Sequence, residues 1–327
     1  MIEKTITGKQ LKNVVNFPMG DKKNLRIVFM GTPEFAVASL QKLVNEGYQI
    51  AGVVTAPDKP AGRGMQLQQS AVKKYAAEQG LKILQPEKLR NPDFLDELKA
   101  LNADVQIVVA FRMLPEMVWN MPPLGTINVH GSLLPQYRGA APINWAIING
   151  EKFTGVTTFK LQHQIDTGSI LLSKKIEIRE DETAGELHDE MMETGAELLL
   201  ETIKALENGT LSEHPQTESE ELKHAPKIFT DTCQIDFTKS VQEVYNLIRG
   251  LSPYPTAFTY LDNKKLKIFK AEKIISNQAF KAGNIETDKK TFLQFACKDG
   301  YIKVLELQME GKKKMKVEEF LRGYRFA

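Results

Sequence analysis

The sequence is poor in cysteine and has no long apolar segment. Two cysteines, Cys233 and Cys297, among 327 residues are too few for a disulfide framework or a cysteine-rich zinc site. No stretch of about 18 apolar residues is present, which excludes a membrane-spanning helix, and the first residues lack the apolar run of a signal peptide. The five histidines are scattered without the spacing of metal ligands. These absences predict a cytoplasmic protein that binds no metal.

The glycine signature of a dinucleotide-binding loop is also missing. After the first apolar run the chain reads Met-Gly-Thr-Pro-Glu-Phe, where a dinucleotide site would have G-x-G-x-x-G. Pro33 occupies a position at which the close approach of a phosphate needs glycine. The sequence therefore argues against a dinucleotide cofactor.

Short apolar segments of strand length alternate with helical segments from Leu25 to His130. This alternation predicts right-handed crossovers and a parallel sheet with helices on both faces. Two more strands, Val156–Leu161 and Ile170–Ile178, and a long amphipathic helix, Ala184–Leu206, follow. We predict an α/β fold with a doubly wound, mostly parallel, Rossmann-like sheet. The predicted strands of its first half are Leu25–Gly31, Ile50–Thr55, Lys82–Leu84, Val105–Phe111 and Thr126–His130.

The last third of the chain differs in pattern and in charge. Residues 210–228 are polar and contain two prolines, which is typical of a linker. Beyond them, short strand patterns between polar turns predict a small β-barrel or sandwich. Residues 227–327 carry 19 Lys and Arg against 12 Asp and Glu, a net charge of +7 beside −5 for the rest, which favours a polyanionic partner. We predict an extension at 1–24, which an over-long start assignment would also explain, a first domain at 25–209, a linker at 210–228 and a C-terminal domain at 229–327.

The segment Asn128-Val129-His130 ends a predicted strand and can carry chemistry. Side chains alternate along a strand, so Asn128 and His130 face the same side, and the carboxyl end of a parallel strand borders the crevice where α/β proteins bind ligands. An amide beside an imidazole can polarise a carbonyl and stabilise an oxyanion. Asp166, in a predicted turn between two strands, can orient the imidazole or accept a proton through water. A histidine that merely ends a strand and an ordinary Asp-Thr-Gly turn are the alternatives.

Two motifs together resemble the signature of the folate-dependent formyltransferases. They are N-V-H-G-S-L-L-P-Q-Y-R-G-A-A-P-I-N-W, beginning at Asn128, and I-D-T-G, beginning at Ile165. The resemblance extends from about Leu25 to Arg325 and includes V-F-M-G-T-P-E-F-A-V, P-A-G-R-G and R-G-L-S-P-Y-P-T-A-F. The P-A-G-R-G loop and the C-terminal segment narrow the resemblance to the methionyl-tRNA formyltransferases.

The resemblance implies roles for individual residues. Asn128, His130 and Asp166 match the catalytic residues of the family. Most relatives are expected to have tyrosine and glycine near Phe111 and Arg112, so this chain departs from the family beside the expected pterin ring. The residues that match folate-contacting positions are Ser132, Leu133, Leu134 and Pro135, together with Phe111, Arg112, Met113 and Leu114.

The resemblance also implies the substrates. The formyl donor would be 10-formyltetrahydrofolate, the acceptor would be the α-amine of initiator methionyl-tRNA, and no metal would take part. A C-terminal barrel of OB type would contact the tRNA, and Arg63 would enter its acceptor end. Arg138 would contact the tRNA or support the loop next to the site, and we expect a monomer. The expected tRNA contacts are Arg63, Arg138, Lys264, Lys265 and Lys267.

Three other functions fit parts of the pattern. A sugar-nucleotide N-formyltransferase would use the same folate and the same three catalytic residues, although the P-A-G-R-G loop and the basic C-terminal part count against it. An enzyme that formylates glycinamide ribonucleotide would lack the C-terminal domain. A non-catalytic RNA-binding protein would have no need for Asn128, His130 and Asp166 together.

Overall fold

The computed structural model of the protein describes residues 25–61, 66–217, 221–276 and 281–326. The predicted extension at 1–24 and the predicted tRNA contact Arg63 lie outside these ranges. Two main sheets, one of seven and one of six strands, organise the described chain. We call residues 25–207 the N-terminal region and residues 229–326 the C-terminal region, and we keep the name linker for residues 210–228.

The N-terminal region alternates strands and helices. In chain order its described elements are β1 (Arg26–Gly31), α1 (Glu34–Asn45), β2 (Gln49–Val54), β3 (Lys59–Ala61), β4 (Gln66–Gln68), α2 (Ala71–Glu78), β5 (Ile83–Leu84), α3 (Pro92–Ala100), β6 (Val105–Val109), α4 (Glu116–Trp119), β7 (Thr126–His130), β8 (Arg138–Gly139), α5 (Pro142–Ile148), β9 (Phe153–Lys160), β10 (Ile170–Glu177) and α6 (Ala184–Glu207).

The seven-stranded sheet has the order β10-β9-β7-β6-β1-β2-β5. The five strands from β7 to β5 are parallel, and β9 and β10 add an antiparallel edge. This order confirms the predicted doubly wound, mostly parallel sheet. Because the chain winds outward in both directions from the β1–β6 pair, the strand ends there border the crevice in which such sheets bind ligands.

Helices cover both faces of this sheet. Along β1, Ile27 and Phe29 pack in the cluster that contains α1, α5 and α6, whereas Val28 and Met30 pack with α3 and α4. Strands that are buried on both faces have continuous apolar sequences rather than alternating ones. This double burial explains why β1 and β6 could be predicted from their composition.

The C-terminal region forms a curled antiparallel sheet that resembles half a barrel. Its strands follow the order β12-β13-β16-β15-β14, and β17 pairs with β16. The described elements from the linker onward are β11 (His224–Ala225), a 3-10 helix (Asp231–Cys233), α7 (Val241–Gly250), β12 (Ala257–Leu261), β13 (Lys264–Ile275), β14 (Ile285–Thr287), β15 (Leu293–Cys297), β16 (Gly300–Met309), β17 (Met315–Lys316) and α8 (Val317–Gly323).

Helix α7 connects the two regions and was not predicted. Ser240 and Glu243 form a capping box at its start, and this S-x-x-E pattern is visible in the sequence. At its other end, the side-chain amide of Asn144 in α5 donates to the carbonyl of Gly250 over 2.7 Å. The buried guanidinium of Arg249 donates to the backbone carbonyl of Glu182 over 3.1 Å. The C-terminal region is therefore attached to the N-terminal region beside α5 and the start of α6.

The described part of the linker packs against the N-terminal region. His214 forms a β-bridge with Ile170 at the start of β10, and β11 pairs with β8 in parallel. A Cβ atom at Gly139 would lie 2.4 Å from the carbonyl oxygen of Ala225, so only glycine allows this close approach. These contacts place the linker along the edge of the candidate site.

Candidate active site

A cavity of about 740 Å³ lies at the carboxyl ends of β6 and β7. The cavity lining includes Asn128, His130 and Asp166, so the structure brings the three predicted catalytic residues together. Asn128 and His130 are two residues apart on β7 and face the same side because side chains alternate along a strand. Asp166 comes from the turn between β9 and β10, and β9 is the neighbour of β7.

His130 is oriented by a backbone contact. Its imidazole is buried, with 7% of the residue exposed, and its Nε2 lies 2.9 Å from the carbonyl oxygen of Tyr137. Because a carbonyl oxygen only accepts, Nε2 carries the proton in this contact. Nδ1 is then the ring nitrogen that remains for a substrate, and it lies 3.9 Å from Oδ2 of Asp166. This distance is too long for a direct hydrogen bond and short enough for the carboxylate to interact electrostatically with the ring.

Asp166 occupies an unusual backbone position. Its φ angle is +55°, in the left-handed region that non-glycine residues rarely adopt. Oδ2 accepts a hydrogen bond of 2.9 Å from the backbone N–H of Gly139. The backbone carbonyl of Asp166 accepts a second one, of 2.8 Å, from the side-chain amide of Gln216. Both the carboxylate and the main chain of this residue are therefore held by groups that are distant in sequence.

Asn128 is half-buried at the cavity wall. Among the contacts of the described residues, none is a hydrogen bond to its side-chain amide, so the amide N–H groups are available to a ligand. An amide donor and an imidazole that face one cavity can stabilise negative charge on an oxygen placed between them. The nearby carboxylate of Asp166 can take part in proton transfer. The arrangement suits attack by a nucleophile on a carbonyl-type carbon.

The two predicted folate-contacting stretches lie in different places. Phe111, Arg112, Met113 and Leu114 line the cavity, and the guanidinium of Arg112 donates to the backbone carbonyl of Glu87 over 2.8 Å and to that of Pro86. Arg112 therefore holds this stretch against the neighbouring loop, and its backbone remains beside the cavity.

Ser132–Pro135 lie outside the cavity lining instead. Ser132 is fully buried, and its carbonyl oxygen accepts a hydrogen bond of 2.7 Å from the hydroxyl of Thr157. The described cavity lining stops at Gly131 and resumes at Gly139. The structure therefore gives this stretch a supporting position, and its predicted contact with folate stays a prediction.

The other predicted contacts lie away from the catalytic residues or next to them. Lys264, Lys265 and Lys267 are in β13, outside the cavity lining. Lys265 and Lys267 alternate with the buried Leu266, so both face outward, and Nζ of Lys265 lies 4.2 Å from the ring centroid of Phe258. Arg138 is next to the site and donates to the side-chain oxygen of Gln216 over 3.0 and 2.7 Å.

Two residues that hold the site were not predicted from the sequence. Tyr137 supplies the carbonyl oxygen that fixes His130, and its hydroxyl donates to Glu151 over 2.5 Å. Burial and this hydrogen bond raise the pKa of Tyr137, so the phenol remains protonated. Gln216 holds the Asp166 turn from a segment 50 residues later. No local pattern points to Gln216, because its role comes from a long-range contact.

Comparison with known proteins gives the same family over both regions. Residues 25–203 match the family described as formyl transferase, and residues 227–325 match the family described as formyl transferase, C-terminal domain. A methionyl-tRNA formyltransferase from Parabacteroides distasonis is 54% identical over 314 residues, which cover 93% of this chain and 97% of the relative. A methionyl-tRNA formyltransferase from Phocaeicola vulgatus is 55% identical over 315 residues, with coverage of 93% and 97%.

A solved structure shares the fold at lower identity. It is the N-formyltransferase from Helicobacter canadensis in complex with folinic acid and dTDP-3-aminofucose. The match has a TM-score of 0.65 at 20% identity and covers 89% of this chain and 100% of that one. In addition, none of the helices within the described ranges is both long and apolar enough to cross a membrane.

Proposed function

The chain belongs to the formyl transferase family, among the methionyl-tRNA formyltransferases, and from this premise we propose that it transfers the formyl group of 10-formyltetrahydrofolate to the α-amine of methionyl-tRNA. The products are formylmethionyl-tRNA and tetrahydrofolate. One observation carries the mechanism: Asn128, His130 and Asp166 meet in a single cavity at the strand ends.

The first step is attack of the neutral amine on the formyl carbon. A bond forms between the amine nitrogen and this carbon, and the formyl oxygen acquires negative charge. The amide of Asn128 and Nδ1 of His130, when protonated, stabilise that oxygen, because both groups face the cavity and the imidazole is already oriented by the carbonyl of Tyr137. Removal of one such donor costs about 10²–10³-fold in kcat in a well-studied hydrolase.

The second step breaks the bond between the formyl carbon and N10 of the folate. The attacking amine loses a proton and N10 gains one, so the transfer is balanced without an external acid. Asp166 lies 3.9 Å from the ring of His130 and accepts the proton through water or stabilises the imidazolium. No covalent intermediate with the protein is needed, which agrees with the position of both cysteines in the C-terminal core.

The two walls of the cavity suit the two substrates. Phe111, Leu114, Trp119 and Leu161 form an apolar wall, on which a flat pterin ring can pack. The folinic acid in the Helicobacter canadensis relative supports a formyl-folate as the donor. Phe35, in α1, also lines the cavity, and in this proposal the amine substrate approaches from that side.

Contact with tRNA involves the C-terminal region in this proposal. The names of the relatives and the net charge of +7 on residues 227–327 support a nucleic-acid partner. Lys264, Lys265 and Lys267 would contact the phosphate backbone, and Arg63 would reach the acceptor end. The division into domains at 25–209 and 229–327, the monomeric state and the cytoplasmic location belong to the same proposal.

Acceptor specificity is the direct test. The chain is incubated with 10-formyltetrahydrofolate and, separately, methionyl-tRNA, glycinamide ribonucleotide and an aminosugar nucleotide, and formyl transfer is measured with a labelled donor. We expect transfer to methionyl-tRNA, and none to the two small acceptors. Transfer to the aminosugar nucleotide alone would keep the mechanism and contradict the proposed acceptor. An Asp166→Asn variant, whose rate should be strongly reduced, serves as the control.

A further inference from the structure

Gln216 makes a pair of contacts that links the linker to the catalytic turn. Its side-chain nitrogen Nε2 donates to the backbone carbonyls of Asp166 and Gly168, each over 2.8 Å. These carbonyls flank Thr167, so one amide spans the turn that presents the catalytic carboxylate. From this geometry we propose that Gln216 is a positioning residue, which holds Asp166 in its working orientation. The inference rests on the proposed formyl transfer.

Arg138 determines how the amide of Gln216 is oriented. Its Nε and Nη2 both donate to Oε1 of Gln216, over 3.0 and 2.7 Å. A guanidinium has only donors, so the oxygen of the amide must face Arg138 and the nitrogen must face the turn. Arg138 therefore acts through Gln216 on Asp166. This role uses the fork of the guanidinium, which was expected to contact tRNA or to support the loop.

The turn needs this support because of its own geometry. Asp166 has a φ angle of +55°, which L-residues rarely adopt without outside constraint. At the other end of the turn, a Cβ atom on Gly168 would lie 1.7 Å from the carbonyl oxygen of Lys160, so the chain is fixed there by close contact. Ile165, just before the carboxylate, is exposed and contributes little packing. Gln216 and the N–H of Gly139 therefore constrain the Asp166 end.

Residue type matters at position 216 because both halves of the amide are used. Glutamate has the same length, but a carboxylate cannot donate to the two carbonyls and would repel them. The Gln216→Glu variant therefore keeps the contact with Arg138 and loses the contact with the turn. We expect kcat to fall on the order of 10²-fold, the loss that a displacement of about 1 Å can cause. KM for methionyl-tRNA and for the folate should change less than about threefold, because binding groups are untouched.

Two controls separate positioning from general damage. Glu213→Gln lies in the same segment and removes an exposed ion pair with Lys160, so its kcat should stay within about twofold of the wild-type value. Thermal melting of the full chain should be similar for both variants.

Coupling to Asp166 is the decisive measurement. Gln216→Glu is combined with Asp166→Asn, and formyl transfer is measured in single turnovers with enzyme in excess. If Gln216 acts only through Asp166, the second substitution should cost less than about twofold in the Asp166→Asn background. A full loss in both backgrounds would overturn the proposal, as would wild-type kcat in the single variant.

A second variant covers the case in which Gln216→Glu does not fold. Arg138→Met removes the donors that orient the amide, and it should lower kcat by a smaller factor with the same dependence on Asp166. If Arg138→Met lowered kcat by the same factor in the Asp166→Asn variant as in the wild type, the inference would be contradicted. If the wild-type chain itself transfers no formyl group to methionyl-tRNA, the proposed function fails, whereas an active wild type with an equally active Gln216→Glu variant contradicts the positioning role alone.

Discussion

The two sheets use their surfaces in opposite ways. The parallel sheet of the N-terminal region buries both faces, so its polar side chains are available at the strand ends, where β6, β7 and the turn after β9 meet. The antiparallel sheet of the C-terminal region buries one face, and charged residues follow its strands on the other, as β13 shows. The first arrangement brings a few groups together at one point, and the second spreads charge over an area.

This difference predicts different consequences of substitution. No neighbouring side chain can take over the role of a catalytic residue at the strand ends, so its loss should lower the rate of the chemical step. A lysine on the outer face has neighbours of the same charge, and some of these are already paired, as Lys303 is with Glu272 over 3.1 Å. Loss of one lysine should therefore weaken binding slightly and leave kcat unchanged.

His130→Ala should produce the largest effect. We expect kcat to fall by about 10³-fold or more, because the variant loses an oxyanion donor and the group that Asp166 supports. The measurement is formyl transfer to methionyl-tRNA at saturating folate. His214→Ala, an exposed histidine whose bridge to Ile170 uses backbone atoms, should behave like wild type. Substantial turnover by His130→Ala would contradict the view that residues at the ends of the parallel strands control the chemical step.

Asn128→Ala should produce the next largest effect. The variant loses one neutral donor to the oxyanion, for which a fall in kcat of about 10²-fold is expected, and KM should change little. Steady-state kinetics measure both constants. Asn120→Ala, an exposed residue at the end of α4, is the matched control. A rise in KM without a fall in kcat would mean that Asn128 stabilises the ground state and the transition state equally.

Lys265→Gln combined with Lys267→Gln should affect binding alone. We expect KM for methionyl-tRNA to rise several-fold and the slope of log KM against log salt to fall by about two, near one for each lost phosphate contact. The folate KM and kcat should stay the same. Lys303→Gln is the control, since this ammonium is paired with Glu272. A fall in kcat for the double variant would show that the second sheet also serves the chemical step.

Thiol labelling should be slow in the folded chain. Both cysteines are buried in the C-terminal core. Burial, together with nearby Asp299, raises the pKa of Cys297 to about 12, and burial also raises that of Cys233. Because the thiolate is the reactive form, alkylation should be slow at pH 8 and should increase as the pH rises toward 12. In rising urea, labelling should report the opening of the C-terminal region while His130-dependent activity reports the N-terminal one.

The parts that the sequence predicted share a physical origin. Strand β1 carries a continuous apolar run and β6 is apolar apart from Gln106, and the shared face of Asn128 and His130 follows from alternation along β7. Asp166 lies close to Asn128 and His130 because it belongs to the turn after β9, and β9 is the neighbour of β7 in the sheet. Local pattern and side-chain period were sufficient for the strands and for the shared face of Asn128 and His130, whereas Asp166 was grouped with them only through the resemblance to the family.

The remaining parts depend on contacts that no local pattern carries. Gln216 reaches Asp166 across 50 residues, and the buried residues Ser132 and Leu134 are hydrogen-bonded to Thr157 in another strand. Helix α7 is a different case, because its capping box was present in the sequence and a strand-centred interpretation of the C-terminal region passed over it.

The linker also bears on how modular this protein is. Its described residues make two contacts beside the catalytic cavity, through Gln216 with the Asp166 turn and through the pairing of β11 with β8. A catalytic half that was cut after α6 would lose both contacts although its sheet would be complete. Recombination between relatives should therefore preserve activity when the crossover falls after Ala225, because the segment up to that residue belongs functionally to the first half.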